Sequence, residues 1–299
     1  MTAAIAVEGL RKSYGSVEAV RGLSFEVEEG EVFGLLGPNG AGKTTVVEIL
    51  EGYRRRDSGS VAVLGVDPAS GGRALRSRVG IMLQECDMPR AFSPREMLEL
   101  YASYYPTPRR VDDVLELVGL TEKATARIKT LSGGQQRRLD LALALIGDPE
   151  LIFLDEPTTG FDPSARRDAW EIVRSIRTLG RTVLLTTHYM DEAQNLADRI
   201  CVIAGGEVVA EGSPATLGGR QVAAARIRFV DEGDLDLSTL PIPAITADGH
   251  VVLETATPTR TLHQVTAWAL ERGLELPGLE VTRPSLEDVY IELTRVPAP

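Results

Sequence analysis

Over the first two thirds of the chain, short apolar runs ended by turn residues alternate with stretches of helical periodicity, apolar at every third or fourth position. The runs predict strands at Ile5–Val7, Phe25–Val27, Val32–Leu36, Val61–Val63, Val79–Leu83, Leu151–Leu154, Val183–Thr187, Ile200–Ile203 and Glu207–Glu211. The periodic stretches predict helices at Lys43–Glu51, Pro94–Tyr104, Arg110–Val118, Gly133–Ile146, Pro163–Thr178 and Asp191–Ala197. Leu151–Leu154 is apolar at every position, as expected of a central strand covered on both faces of a parallel sheet. Strands alternating with helices favour an α/β fold, a sheet flanked by helices. A mostly helical stretch over about 85–149 interrupts the alternation and reads as an insertion into that core.

The core pattern ends near Gly218–Gly219. A weaker α+β pattern follows, with strands near Arg226–Val230, Val251–Thr255 and Leu279–Thr282 and helices at Leu262–Arg272 and Ser285–Thr294. In the last helix Ser285 is placed to cap, Asp288 stands three residues on, and Leu286, Val289, Tyr290 and Leu293 share one face. The expected division is a large domain over 1–222 and a small accessory α+β domain over 223–299.

Composition narrows the classes. At 299 residues, 43% hydrophobic and 25% charged, the chain has ample length to bury a core. A net charge of -11 argues against a nucleic-acid surface and against a polybasic lipid anchor. No apolar run approaches the ~20 residues that span a bilayer, and Met1–Gly9 lacks the order of a secretory signal, so work at a membrane has to pass through a partner, with no direct lipid insertion. Cys86 and Cys201 give neither a disulfide framework nor a zinc spacing, and both read as small buried hydrophobes. Lysine is confined to Lys12, Lys43, Lys123 and Lys129 in an arginine-rich chain, which suits position 43 to a task needing a compact point charge.

Lys43 lies in Gly37-Pro38-Asn39-Gly40-Ala41-Gly42-Lys43-Thr44, which fits G-x-x-x-x-G-K-[ST] between a strand and a helix. Glycines let the backbone wrap closely around phosphate with its N–H groups inward, and the following helix adds its N-terminal partial charge. Lys43 is expected to bridge the β- and γ-phosphates of a nucleotide and the Thr44 hydroxyl to ligate Mg²⁺; Thr45 closes the loop.

In open α/β sheets, ligands bind outside the carboxyl ends of the strands. Four apolar strands each deliver something polar at that end: the Gly37 loop, Asp155-Glu156, His188 and Gln84. Asp155, a hard carboxylate, suits the Mg²⁺ shell. Glu156, pointing elsewhere, suits a general base that polarises the attacking water. His188 suits a hydrogen bond to the γ-phosphate, and Gln84 suits the metal shell and water orientation. His250 and His263 lack such a setting and read as structural.

Leu131-Ser132-Gly133-Gly134-Gln135 stands between Gln84 and Asp155, ahead of a helix that carries Asp140. Together with the phosphate loop, Asp155-Glu156 and His188, it makes residues from about Ile5 to Leu217 resemble the nucleotide-binding subunit of ABC transporters. That resemblance implies a P-loop NTPase core with a parallel central sheet, an antiparallel β subdomain and an inserted helical subdomain. It implies ATP and Mg²⁺ as ligands and a head-to-tail dimer in which Ser132, Gly133, Gly134 and Gln135 cap ATP held by the partner's phosphate loop. It places Tyr14 where an aromatic stacks on adenine, and Asp162, in Gly160-Phe161-Asp162-Pro163, in a loop crossing the dimer interface. The family usually has Leu where Phe161 stands, which puts the coupling between sites in question.

Arg283-Pro284-Ser285-Leu286-Glu287-Asp288-Val289-Tyr290 resembles the ending of ATP-binding subunits from daunorubicin-resistance-type drug exporters. The expectation is therefore an ATPase at the cytoplasmic face of the cell membrane, peripheral, driving export of a drug-like or other hydrophobic substrate through a separate integral membrane permease. The alternatives are an importer ATPase, which would share the core, and a non-transport ABC ATPase on nucleic acid or ribosomes. The last is disfavoured by the single cassette, the acidic balance and the lack of cysteine clusters.

Overall fold

A computed structural model of the chain describes residues 3–82, 88–220, 223–231, 237–247 and 249–294. Gln84 and Cys86 lie outside the described residues. Those described form two compact units, 3–214 and 215–294, so the split falls before the expected 222/223 boundary. The first unit runs β1 (Ala3–Tyr14), β2 (Val17–Glu28), β3 (Val32–Leu36), α1 (Lys43–Leu50), β4 (Ser58–Val63), α2 (Gly72–Arg76) and β5 (Val79–Met82). Three helices follow: α3 (Pro94–Ala102), α4 (Val111–Leu117) and α5 (Gly133–Leu145). The unit closes with β6 (Leu151–Asp155), α6 (Pro163–Thr178), β7 (Thr182–Thr187), α7 (Met190–Leu196), β8 (Arg199–Ala204) and β9 (Glu207–Gly212).

The central sheet has the order β5-β6-β7-β3-β8-β9, parallel except for the antiparallel edge strand β9. Side-chain alternation sends successive residues of its strands into two cores. Ile152, Leu154, Val183 and Leu185 pack with Met97, Leu98, Leu115 and Leu139 of the helical insertion. Leu151, Phe153, Leu184, Phe33 and Leu35 pack with α1 and with a second, antiparallel sheet of order β2-β1-β4. Uniformly apolar strands are thus the direct consequence of a sheet buried on both faces. The insertion is drawn tight against the sheet at Gly80, where any Cβ would fall 2.2 Å from the Ala144 carbonyl.

Two strands are far longer than expected: β1 and β2, 12 residues each, form one hairpin, where only Ile5–Val7 and Phe25–Val27 were legible. Their outward faces carry Glu8, Arg11, Glu18 and Arg21, which break up the apolar run although the backbone ladder continues.

The second unit holds β10 (Ala225–Val230), β11 (Ile245–Ala247), β12 (His250–Thr255), α8 (Pro258–Glu271), β13 (Glu280–Thr282) and α9 (Leu286–Thr294). Its antiparallel sheet has the order β11-β12-β10-β13. Ile227, Phe229, Val251 and Leu253 face Val265 of α8. The expected cap of α9 is present: the Asp288 amide donates to Ser285 Oγ at 3.0 Å and the Ser285 amide returns to Asp288 Oδ2 at 2.8 Å. α8 begins four residues ahead of the expected Leu262, at Pro258, because Pro is favoured in the first helical turn while the polar residues there show no periodicity.

Candidate functional site

β3 is buried at every position and ends at Gly37, from which the chain curls into α1. Two glycines of the curl are obligatory. A Cβ on Gly37 would lie 2.3 Å from the Ile203 carbonyl, and one on Gly42, at φ +101°, 2.4 Å from that of Ala19. Gly42 is the N-cap of α1 and offers no side-chain cap, so the first amides of the helix are unpaired by side chains. The resulting cleft, of about 340 Å³, is lined by loop residues 39, 40 and 42–45 together with Asp155 and Glu156.

Lys43 is buried at 8% exposure and donates through Nζ to the carbonyls of Gly37 at 2.6 Å and Pro38 at 3.2 Å. Burial lowers its pKa, while Glu156 and Asp155 across the cleft pull the other way. A half-desolvated ammonium balanced by two carboxylates and sitting on its own loop is poised for an anion that would exchange those carbonyls for phosphate oxygens.

Asp155 and Glu156 leave the end of β6 in different directions. Thr186 of the neighbouring strand β7 donates its hydroxyl to Asp155 Oδ1. The Glu156 amide donates to Thr186 through both its carbonyl and its hydroxyl, each at 3.1 Å. Glu156 itself takes the left-handed conformation at φ +47°, a strained choice for a residue with a side chain, stabilised by these bonds. Its carboxylate lies 3.2 Å from His188 Nδ1 through Oε1 and accepts from Thr159 Oγ1 at 3.1 Å through Oε2. Arg137 of α5 donates to the Glu156 carbonyl at 3.2 Å, joining the insertion to the strand end.

Tyr14, at the end of β1 and 41% exposed, reaches the same cleft: its hydroxyl is 3.4 Å from Thr45 Oγ1 and its ring faces the cations of Lys12 and Arg54. The structure therefore brings together Tyr14, Asn39, Gly40, Gly42, Lys43, Thr44, Thr45, Asp155, Glu156 and, through Glu156, His188. It does not bring Ser132, Gly133, Gly134, Gln135 or Asp162 to that cleft. Ser132 caps α5 in a box, its Oγ accepting from the Gln135 amide at 3.2 Å and its amide donating to Gln135 Oε1 at 3.0 Å. Asp162 caps α6, accepting from Ser164 and Ala165 at 2.8 and 2.9 Å.

Thr186, Thr159 and Arg137 were missed by sequence reasoning. A pair of threonines closing the apolar run Val183–Leu185 was the available signal for Thr186. No local signal marks the other two.

Among the described residues no group of three or more His, Cys, Asp and Glu could hold a metal by itself. The hydroxyl and carboxylate of Thr44 and Asp155, both lining the cleft, are oxygen donors of the kind Mg²⁺ takes, with phosphate oxygens left to complete the shell. The glycine cradle and the uncapped amides likewise fit a polyphosphate. A second, mainly apolar cavity of about 280 Å³ is walled by Leu50, Tyr53, Tyr101, Tyr105 and Leu143, and there burial pushes the Glu51 carboxyl up to about 8.

This is the geometry of a P-loop nucleoside-triphosphatase, and comparison with known proteins makes the class specific. Residues 20–159 match the ABC transporter family, and residues 225–285 match the C-terminal domain of ABC transporter domain-containing proteins. The Nod factor export ATP-binding protein I of Rhizobium meliloti (strain 1021) is 41% identical over 98% of this chain and 88% of its own length. The daunorubicin resistance ATP-binding protein DrrA3 of Streptomyces coeruleorubidus is 39% identical over 97% of this chain and 96% of its own length. The structure of cbiO1 from Clostridium perfringens, part of the ABC transporter complex cbiONQ, superposes with a TM-score of 0.67 at 28% identity, covering 72% of this chain and 90% of that one. The chain belongs to the ATP-binding subunits of ABC transporters: it binds nucleotide and hydrolyses ATP. No helix among the described residues is long and apolar enough to cross a membrane.

Proposed function

We propose that the chain energises export of a drug-like or other hydrophobic substrate through a separate integral membrane permease, at the cytoplasmic face of the cell membrane. The export names of the two relatives support the direction. In this assignment Gly37–Thr45 cradle the triphosphate, Lys43 spans the β- and γ-phosphates, and Tyr14 stacks on adenine. Thr44 and Asp155, together with Gln84, would hold Mg²⁺, which would supply positive charge against the phosphates. Glu156 accepts the proton of the attacking water. His188 holds Glu156 in place through the 3.2 Å contact and hydrogen-bonds the γ-phosphate. Residues 1–222, with the helical insertion at about 85–149, serve as the nucleotide-binding domain and residues 223–299 as an accessory one.

The observation that carries this is the opposition of Lys43 to Glu156 and Asp155 across one glycine-built cleft. The second anion patch, at the start of α5, does not line that cleft. Its uncapped Gly133 and Gly134 amides, with Ser132, Gln135 and Asp162, therefore complete the site of a second copy in a homodimer. Two measurements on the full chain test the proposal together. With Glu156→Gln, MgATP binding persists, turnover falls by about 10²–10⁴-fold and an ATP-bound dimer accumulates in light scattering. Sustained turnover in that variant removes Glu156 from its role, and an ATP-saturated monomer removes the dimer.

A further inference from the structure

The loop after β6 and the segment that carries His188 meet at a carboxyl group sealed from solvent. Glu192 of α7 is 0% exposed. Its Oε1 accepts from Trp170 Nε1 of α6 at 3.3 Å. The hydroxyls of Thr187, at the end of β7, and of Thr158, in the loop, stand beside it. Arg166 of α6 adds a positive charge, its guanidinium 4.1 Å from the Tyr189 ring centre. Burial drives the carboxyl's pKa up, while Trp170, the two nearby hydroxyls and Arg166 pull it back.

The network is incomplete as it stands. Glu192 Oε2, Thr158 Oγ1 and Arg166 Nε are buried without a hydrogen-bond partner among the described residues. Buried polar atoms are almost always paired, and each unpaired one needs a physical reason. The unpaired acceptor is on α7, and the unpaired hydroxyl, which stands beside the same carboxyl, is in the loop after β6. A bond from Thr158 to Oε2 would satisfy both. The loop in question leads through Phe161 into Asp162, and α7 follows directly on His188.

We propose that Glu192 is a positioning residue that locks the 157–162 loop to the His188 segment, Thr158 donating to Glu192 Oε2 in the hydrolysing state. His188 then takes its place over the nucleotide only when Asp162 takes its place toward the second copy. The inference rests on the roles given above to His188 and Asp162. Glu192 does not line the phosphate cleft, so its loss acts on the catalytic step and leaves ATP binding alone.

The test is steady-state ATPase kinetics on the full chain, with ATP affinity measured separately. Glu192→Gln keeps the acceptor for Trp170 but exchanges or dilutes the second one. Its kcat is expected to fall by about tenfold or more while KM and the ATP Kd stay within about twofold, the pattern of a lost transition-state arrangement. Thr158→Val is expected to show the same split and Thr158→Ser to restore the rate, because only the hydroxyl matters. The double variant Thr158→Val/Glu192→Gln should be no slower than the slower single variant, as for partners in one contact. A normal kcat in Glu192→Gln, multiplying effects in the double variant, or equal rates for Thr158→Val and Thr158→Ser each overturn the proposal. Should Glu192→Gln not fold, the two Thr158 variants decide alone. Glu156→Gln is run beside them: if it keeps turnover, the site assignment fails and this proposal with it, whereas a dead Glu156→Gln beside a fully active Glu192→Gln sinks only the positioning role.

Discussion

Replacing Lys43 by Met keeps the side-chain stem and removes the ammonium, which isolates what the charge contributes. That ammonium already has partners, the carbonyls of Gly37 and Pro38. Binding therefore exchanges two bonds rather than creating two. Those carbonyl bonds are already charge-assisted through the ammonium, so exchanging a neutral acceptor for an anionic phosphate oxygen returns about 1–2 kcal/mol each. Two exchanges give about 2–4 kcal/mol, or roughly 30- to 1000-fold in ATP affinity. Isothermal titration of MgATP into the full-length variant measures this directly. Stability should respond differently. Burial lowers the Lys43 pKa, so the unfolded chain binds this proton more readily than the folded one, and wild-type stability rises as pH climbs through the interval between the two values. Lys43→Met lacks that rise. A folded Lys43→Met chain with undiminished ATP affinity would falsify the phosphate-cradle assignment.

Gly42→Ala puts a Cβ 2.4 Å from the Ala19 carbonyl at φ +101°, so the loop has to shift; a loss of about 2–3 kcal/mol and of most ATP affinity is expected, and an unchanged melting curve refutes the close packing. Glu51 holds its proton up to about 8 in the folded chain, whereas the unfolded chain releases it near the ordinary carboxylate value of 4.5. Its contribution is therefore complete below that value and drains away as pH rises toward 8. Glu51→Gln, which mimics the protonated form, should gain on wild type by about 2–4 kcal/mol between pH 5 and 9 in denaturant titrations, and a pH-independent difference contradicts the buried-carboxyl account.

How much could be read in advance depended on whether a residue's meaning is local. β3, β6 and β7 were legible because burial on both faces makes every position apolar. The loop of the cleft was legible as a strand-to-helix turn because its glycine spacing and Lys43 fall within eight residues. β11 was not legible: all three of its residues are exposed, and pairing with β12 alone makes it a strand. α2, five residues with one buried side chain, offers too short a stretch to show a period. At the site, Asp155, Glu156 and His188 could be inferred from strand ends. Thr186, which holds both Asp155 and the Glu156 amide, is 31 residues from the former in sequence, and Glu192 looks like any surface glutamate of a short helix until the fold closes over it.

The three helix starts that the proposed function uses differ in a way that orders the events. α6 is closed by Asp162, which takes two of its first amides. α5 is half closed: Ser132 takes the Gln135 amide and leaves those of Gly133 and Gly134. α1 has no side-chain cap at all and stands behind a loop whose glycines exclude side chains. Unpaired first-turn amides attract an anion in proportion to how many remain open. Under the proposed function the cradle at α1 would bind phosphate on its own, aided by Lys43, while the patch at α5, already part-capped, would hold phosphate only once another site has fixed it. Nucleotide should therefore bind the isolated chain first and draw two chains together afterwards, so that ATP affinity is nearly independent of protein concentration while turnover rises steeply with it. Turnover per chain that stays flat on dilution well below the dimerisation range would break this order.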